Sequence, residues 1–305
     1  MLIVIDENID EIRLDLYLSQ LYDGISRSKI QAAIKAGKVL INGEIKKSSY
    51  TLREGDRIEF ENLVDDKELM VEPEDIPLEV VWEDENMAVI NKPSGMLTHP
   101  TTLENSGTLV NALLYKYGQN LSDVNGEFRR GIVHRLDRNT SGLLMIPKNN
   151  KTHEYLANLI KNHDLTKKYH AVLVGNYPRD NDVITDPIGR NNLNRKKMAV
   201  RPDGRPSVTK LKVLERFDNE ATYVEITLVT GRTHQIRVHT SHKKHPVYND
   251  TLYGAGQGKV KTEEQVLQSF YLKFAKPFSS EIIELEIEPD EKLSKVLTYF
   301  KNRRA

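Results

Sequence analysis

Ile12, Leu14, Leu16, Leu18 and Leu21 supply the apolar positions of a first helix near the start of the chain. Ser26 and Ser28 are placed to cap a second helix, KIQAAIKAGK, where a side-chain oxygen can satisfy free N–H groups of the first turn. Gly37 stands where that helix should end, because glycine adopts the left-handed conformation at little cost. VLING then reads as a short strand closing on an Asn42-Gly43 turn, and a further strand ends at Gly55-Asp56, before RIEF. The pattern lapses over residues 63–79, LVDDKELMVEPEDIPLE, which hold two prolines, seven acids and one lysine with no period of 2 or 3.6. That segment reads as a linker. The expected division is therefore 1–63, a linker at 64–79, and a second domain at 80–305.

Beyond residue 80 the apolar runs are strand-like: VVWEDENMAVINKP, GLLMIP, KKYHAVLVG, YVEITLV and IIELEIEP. Helical patterns lie between them, notably TLVNALLYKYG and THEYLANLIKNH. Strands and helices intersperse without a regular βαβ alternation, which predicts an α+β fold with a mostly antiparallel sheet.

Composition narrows the class. With 38% hydrophobic residues over 305 positions the chain can build one large core and one small one. No stretch approaches the roughly 18 apolar residues of a membrane span. The start, MLIVIDENID, shows no basic segment followed by a long apolar run, so no secretory signal is expected. The absence of cysteine rules out disulfides, thiolate metal sites and a thiol nucleophile, and favours a cytoplasmic location.

Net charge is zero, but its distribution is uneven. Gly24 to Arg53 carries seven Lys/Arg against one acid, and Asp186 to Lys212 carries eight against two. Between these basic blocks, Asp65 to Glu85 carries ten acids and one lysine. Two basic surfaces separated by an acidic segment match a nucleic-acid footprint, although any single charge run is commonly a solvated face.

Candidate chemistry centres on GIVHRLDRNTSGLLMIPKN, residues 131–149. Its one acid, Asp137, sits among Arg129, Arg130, Arg135 and Arg138 on a turn closed by Thr140, Ser141 and Gly142. Nearby positive charge keeps a carboxylate ionised. Such a group serves either as a nucleophile or as half of a solvated surface ion pair. GRTHQIRVH, residues 231–239, reads as an extended strand. Thr233, Gln235, Arg237 and His239 then share one face, and Arg232, His234, Ile236 and Val238 the other. Ile236 and Val238 ask for a core, leaving Arg237 on the cleft side to pair with Asp137 or to form a surface cross-strand pair. In KKYHAVLV, Tyr169 alternates with Ala171 and Leu173, the pattern of an inward-packing ring. His234, His239, His242 and His245 are close in sequence, but the strand separates His234 from His239 and no metal-ligand spacing appears. No metal site and no cofactor is expected, since there is neither a Walker-type loop nor a dinucleotide fingerprint.

His134-Arg135-Leu136-Asp137 followed by Thr140-Ser141-Gly142 resembles the HRLDxxTSG signature of the RluA-type pseudouridine synthases. Three further blocks match in the same order: VWEDENMAVINKPSGMLTHP, KKYHAVLVG as KxYxAxVxG, and GRTHQIRVH as GRTHQIR, followed by a DxLYG-like segment from Asp250 to Gly254. SRSKIQAAIKAGKVLING and LREGDRIEF resemble the RNA-binding domain named after ribosomal protein S-four. One departure stands out: a histidine usual before the LxFxxP run is replaced in SFYLKFAKPF by Tyr271-Leu272, leaving only a packing role for Leu272.

The resemblance implies a long bent mixed sheet with a catalytic cleft across its middle, and conversion of uridine to pseudouridine in structured RNA. It implies Asp137 as the essential carboxylate, Arg237 as its partner, and Tyr169 as a ring stacked on the target base that takes a proton from carbon five. His134, Arg135, Thr140, Arg232, His234 and Gln235 are implied as substrate-binding, with Arg135 filling the space the base vacates. Arg27, Lys29, Lys35 and Lys38 are implied as RNA-facing cations. Asp137 could attack the anomeric carbon or base carbon six, or stabilise an oxocarbenium-like state. The expected partner is ribosomal RNA of the large subunit ahead of transfer RNA, and a monomer is expected. A non-catalytic RNA-binding protein would lack one of Asp137, Tyr169 and Arg237. A glycoside hydrolase would need a second acid beside Asp137, and none was found in the matched cleft blocks.

Overall fold

The computed structural model of the chain describes residues 2–5, 12–21, 27–60, 71–101, 104–194, 196–256 and 258–303. Ser26 and the first part of the expected linker lie outside them. The chain divides into two compact units, one of residues 1–76, 99–119 and 123–130, the other of 77–98, 120–122 and 131–305. Residues 99–119 and 123–130, expected with the second domain, thus group with the first.

In the first unit, strand β1 (Leu2–Val4), helices α1 (Leu14–Leu21) and α2 (Arg27–Lys35), and strands β2 (Val39–Ile41) and β3 (Arg57–Phe60) enclose one core. Leu14 and Leu18 from α1 meet Ile30, Ala33 and Ile34 from α2 over Val39, Ile41 and Ile58. Helical spacing puts each set on a single face. Gly37 ends α2 as expected. At φ 77° its N–H bonds the Ile34 carbonyl while Lys38 bonds back to Ala33, the Schellman closure. Asn42 and Gly43 both take positive φ, and Ile41 and Glu44 exchange backbone bonds across the turn. Gly55-Asp56 precedes the strand rather than ending one, and the buried Asp56 carboxylate accepts from Asn42, Tyr50 and the Arg53 N–H. Helix α3 (Leu109–Tyr117) also belongs to this unit, capped by Thr108.

The second unit is built on a nine-stranded sheet. Its strands are β4 (Glu79–Glu83), β5 (Met87–Lys92), β6 (Ser141–Pro147), β7 (Thr166–Val174) and β8 (Asn181–Ile184), then β11 (Thr209–Phe217), β12 (Ala221–Leu228), β13 (Leu267–Ala275) and β14 (Ile282–Glu286). The order is β4-β5-β6-β13-β7-β12-β11-β8, with β14 pairing β13. Every pairing is antiparallel except β6 with β13, so the sheet is mixed and mostly antiparallel. Strands β9 (Ile188–Arg190) and β10 (Met198–Val200) form a separate hairpin. Helix α4 (Asn150–Asn162) covers Met87, Val89, Leu143, Met145, Leu272 and Phe274, so Leu272 does pack in a core. Helix α6 (Glu291–Asn302) places Leu293, Val296, Leu297 and Phe300 against Val172, Phe217 and Tyr248.

Residues 231–239 do not form the expected strand. Thr233 and His234 form a turn, with His234 left-handed at φ 55°, and Gln235–His242 is a helix, α5. Six consecutive residues, Gln235 to Thr240, are buried. A helix enclosed on all sides shows neither period, so alternation was not diagnostic.

The parallel join of β6 and β13 is where the sheet admits only glycine. A Cβ on Gly142, at φ +117°, would stand 2.1 Å from the Ser269 carbonyl oxygen. Gly142→Ala must part the two strands, so about 3 kcal/mol or more of stability should be lost. At roughly 2–4 °C per kcal/mol for a unit of this size, the unfolding midpoint should fall by about 6–12 °C in a thermal scan.

Candidate active site

The HRLDRNTSG segment becomes a tight turn running into β6. The Asp137 carbonyl accepts from the Thr140 N–H at 3.1 Å, which turns the carboxylate away from the strand it precedes. The turn is clamped from behind by its own carbonyls. Thr98 Oγ1 donates to the Leu136 carbonyl, the Gly95 N–H and Lys92 Nζ donate to that of Arg138, and Ser94 Oγ and Lys292 Nζ donate to that of Asn139. Lys92 is fully buried, with three carbonyls as its acceptors, those of Pro93, Met96 and Arg138, at 2.7–3.0 Å. Burial, with Lys292 nearby, pushes its ammonium down to about 7. The NKPSG run therefore holds the Asp137 turn in place, a role its sequence did not disclose.

The Asp137 carboxylate, 18% exposed, receives Arg237 Nη1 at 3.0 Å, with His234 Nε2 at 3.9 Å. Arg237 comes from the first turn of α5, not from a strand face, and its fork is turned elsewhere. Nε and Nη2 meet both oxygens of Asp250 at 2.6 and 2.9 Å, and Asp250 is completely buried. Burial opposes charge on Arg237, but the two carboxylates outweigh it and hold the guanidinium firmly protonated. Asp250 opens the DxLYG-like segment and is an acidic companion that sequence reasoning missed. It lies behind Arg237 and does not line the cavity, so it cannot flank a scissile bond. Tyr253, from the same segment, stacks on the guanidinium at 5.1 Å, and its hydroxyl meets His234 Nδ1 at 2.8 Å. Burial lowers the His234 pKa, the charge of Asp137 resisting, so its imidazole is neutral at neutral pH.

A cavity of about 460 Å³ opens on Asp137. Asp137, Tyr169, Arg237, His134, Arg135, Thr140, Arg232, His234 and Gln235 all line it, so one site gathers every residue expected to be catalytic or substrate-binding. They divide into two sets. The Gln235 amide is fully engaged by Thr230, the Arg232 N–H, the Val208 carbonyl and Thr209. His134 Nε2 accepts the Met145 N–H at 3.0 Å, and burial drives its pKa down to about 3. These two side chains fix the walls rather than reach for a ligand. Tyr169 is 6% exposed, and burial pushes its phenol up to about 12, which keeps it protonated. Lys167, two residues earlier on β7 and the first residue of the KxYxAxVxG block, also lines the cavity, and no role was expected of it from sequence.

Among the histidines, His239 bonds Thr209 and the Asp186 carbonyl and His245 the Val174 carbonyl. Among the described residues, no group of three His, Asp or Glu side chains is arranged to hold a metal ion, and no helix is long and apolar enough to cross a membrane. In the first unit, Lys29, Lys35 and Lys38 are exposed. Arg27, also exposed, ties α2 to α1 by bonding the buried Asp15 carboxylate at 2.9 Å.

The sequence profile described as RNA pseudouridylate synthase matches residues 86–242, and that of the S4 domain matches residues 12–58. The chain is 38% identical over 299 residues to the uncharacterized RNA pseudouridine synthase of Aquifex aeolicus (strain VF5), covering 95% of this chain and 94% of that protein. It is 36% identical over 294 residues to the ribosomal large subunit pseudouridine synthase D of Vibrio parahaemolyticus, covering 92% and 88%. Among solved structures, human RNA pseudouridylate synthase domain containing 1 superposes with a TM-score of 0.57 at 25% identity, covering 74% of this chain and 95% of that one.

Asp250→Asn keeps the shape behind Arg237 but removes the charge that anchors its fork. Breaking a buried ion pair from one side typically costs about 3–5 kcal/mol, though the retained amide acceptor places this case at the lower end. Denaturant unfolding should show a loss of about 3 kcal/mol. Activity should fall at least about tenfold although the residue touches no ligand, because about 1.4 kcal/mol of lost positioning suffices.

Proposed function

The chain belongs to the RNA pseudouridylate synthase family, and from that membership we propose that Asp137 drives the isomerisation of uridines in large-subunit ribosomal RNA. The reaction itself, uridine to pseudouridine in RNA, is the family's. It breaks the bond from the anomeric carbon to N1, forms one to carbon five, and moves one proton from carbon five to N1. No electrons are gained or lost, so the chemistry calls for no redox cofactor.

One observation carries the reading: a carboxylate at the wall of the cavity, held by a guanidinium that is itself anchored from behind. A group positioned in this way can attack the anomeric carbon or base carbon six, or accept the 2′ proton as the base departs, without first paying for reorganisation. The target uridine must leave its stack to enter, and Arg135, exposed at the cavity rim, takes the space it vacates. Tyr169 stacks on the flipped base. A phenol that stays protonated suits a relay that gives one proton to the base while taking another from carbon five. Thr140, Arg232 and His234 line the path of the nucleotide.

The S4 domain supplies RNA affinity. Lys29, Lys35 and Lys38 are its RNA-facing cations, and Arg27 organises the helix that presents them. On this reading residues 1–63 bind, 64–79 link and 80–305 catalyse. Ribosomal RNA is favoured over transfer RNA because relatives matching nearly the whole chain are named for the large ribosomal subunit. The enzyme is proposed to work as a cytoplasmic monomer.

Mapping pseudouridine in RNA from cells that lack the protein should show lost sites in large-subunit ribosomal RNA, restored by the intact chain and not by Asp137→Asn. The purified Asp137→Asn protein should bind the same RNA within about tenfold of normal, or 1.4 kcal/mol, and convert none of it. Loss of sites confined to transfer RNA would overturn the substrate assignment, and residual turnover would remove Asp137 from its role.

A further inference from the structure

We propose that the Lys167 ammonium binds the uracil oxygens and balances the negative charge that grows on the base as its bond to the sugar breaks. The inference rests on the cavity being the site of uridine isomerisation, and it adds a catalytic cation to the carboxylate chemistry above.

Strand geometry places the group. On β7, Lys167 and Tyr169 are two residues apart and share the cavity face, while Lys168 between them points to the other side. The two lysines have contrasting surroundings. Lys168 lies 3.3 Å from Glu225 and 5.0 Å from the centre of the Tyr271 ring. Lys167 makes no hydrogen bond or ion pair among the described residues. Its Nζ reaches toward Gly231, where a Cβ would stand 3.8 Å away. Lys167 is half-buried, and an ammonium so enclosed is usually paired, because leaving water is costly for it. Here the missing partner is supplied by whatever enters the cavity.

The remaining cations of the wall are already occupied or remote. Arg237 is shared by two carboxylates, and Arg232 Nε donates to the Pro206 carbonyl. Arg135 is exposed. Burial brings Lys167 down to about 8, so the ammonium form still predominates at neutral pH and holds its proton loosely. Tyr169, proposed above to stack on the base, lines the same cavity face as the ammonium.

Each route open to Asp137 needs such a cation. Attack at the anomeric carbon sends the N1 bond pair onto the base, where it spreads over O2 and O4. Removal of the 2′ proton expels the same uracil anion. Addition at carbon six places an electron pair on carbon five and O4. In all three the charge disappears again when carbon five bonds to the sugar, carbon five loses its proton and N1 gains one, so atoms and charge balance without a co-reactant. Donors aimed at developing charge in a water-poor site are worth about 10²–10³ in rate.

The test compares Lys167→Met, Lys167→Gln and Lys167→Arg with the intact chain on a short stem-loop RNA, after thermal unfolding has shown which variants fold. Single-turnover cleavage of the glycosidic bond should fall at least about a hundredfold in the Met and Gln variants, with RNA affinity within about threefold. Lys167→Arg should recover part of the rate. Replacing the target by 5-fluorouridine makes the departing base a better leaving group, so the deficit of the uncharged variants should shrink on that RNA. In the intact chain the change should be small. Rates within about fivefold of normal in the uncharged variants would overturn the proposal. So would a defect confined to affinity with a shallower salt dependence, the mark of a phosphate contact. A steep leaving-group dependence in the intact chain would overturn it even if no variant folded. Failure of the intact chain to convert uridine at all would instead defeat the functional reading on which this one rests.

Discussion

One guanidinium shared between two carboxylates organises this site. Arg237 gives two of its N–H donors to the buried Asp250 and one to Asp137 at the cavity wall. The fork therefore cannot swing to follow Asp137, and Asp137 meets an arginine whose direction is already set. Buried ion pairs seldom add net stability, because desolvation consumes much of the attraction. What this arrangement supplies is geometry. The three groups together carry one net negative charge, which the surrounding cations offset without contacting the carboxylate: Lys92 and Lys292 bond to backbone carbonyls of the turn. Tyr253 closes the assembly, its ring on the guanidinium and its hydroxyl on His234.

The backbone holds the carboxylate as firmly as its partner does. Carbonyls of Leu136, Arg138 and Asn139 are all fixed by donors from residues 92–98 and by Lys292 of α6. The strand after the turn, β6, enters the sheet at its one parallel join, where Gly142 lies against the Ser269 backbone. A bulge in β13 falls between Ser269 and Tyr271, opposite Tyr169 and Lys168 of β7. Tyr169 and the neighbouring Lys167 thus come from β7, which is separated by β13 alone from β6, and the turn leading into β6 carries the carboxylate.

Much of this was legible in the chain. The HRLDRNTSG turn, the inward face of Tyr169, the Asn42-Gly43 hairpin and the Gly37 helix end all follow from local rules that tertiary packing did not override. The helix at Gln235–His242 was misread as a strand because it is buried all round and carries no period. Pairing of Arg237 with Asp137 nevertheless stands, by helical rather than alternating geometry. Asp250 and Lys92 were illegible for a different reason: their roles arise from partners 13 and 46 residues away, which no local pattern specifies. The β9–β10 hairpin and the strands flanking it were also unread, and so was helix α6, although Leu293, Val296, Leu297 and Phe300 stand at helical spacing behind an Asp290 cap.

If orientation by a fixed fork is what makes Asp137 effective, charge alone will not replace it. Arg237→Lys keeps a cation beside Asp137 but loses the planar pair of bonds to Asp250, leaving the ammonium free to choose either carboxylate. The single-turnover rate of pseudouridine formation, measured with RNA in excess of its dissociation constant, tests this most directly. The account requires a fall of at least about a hundredfold, or 2.7 kcal/mol, with RNA affinity unchanged. A rate within a few-fold of normal would show that Asp137 needs only nearby positive charge, and would contradict it.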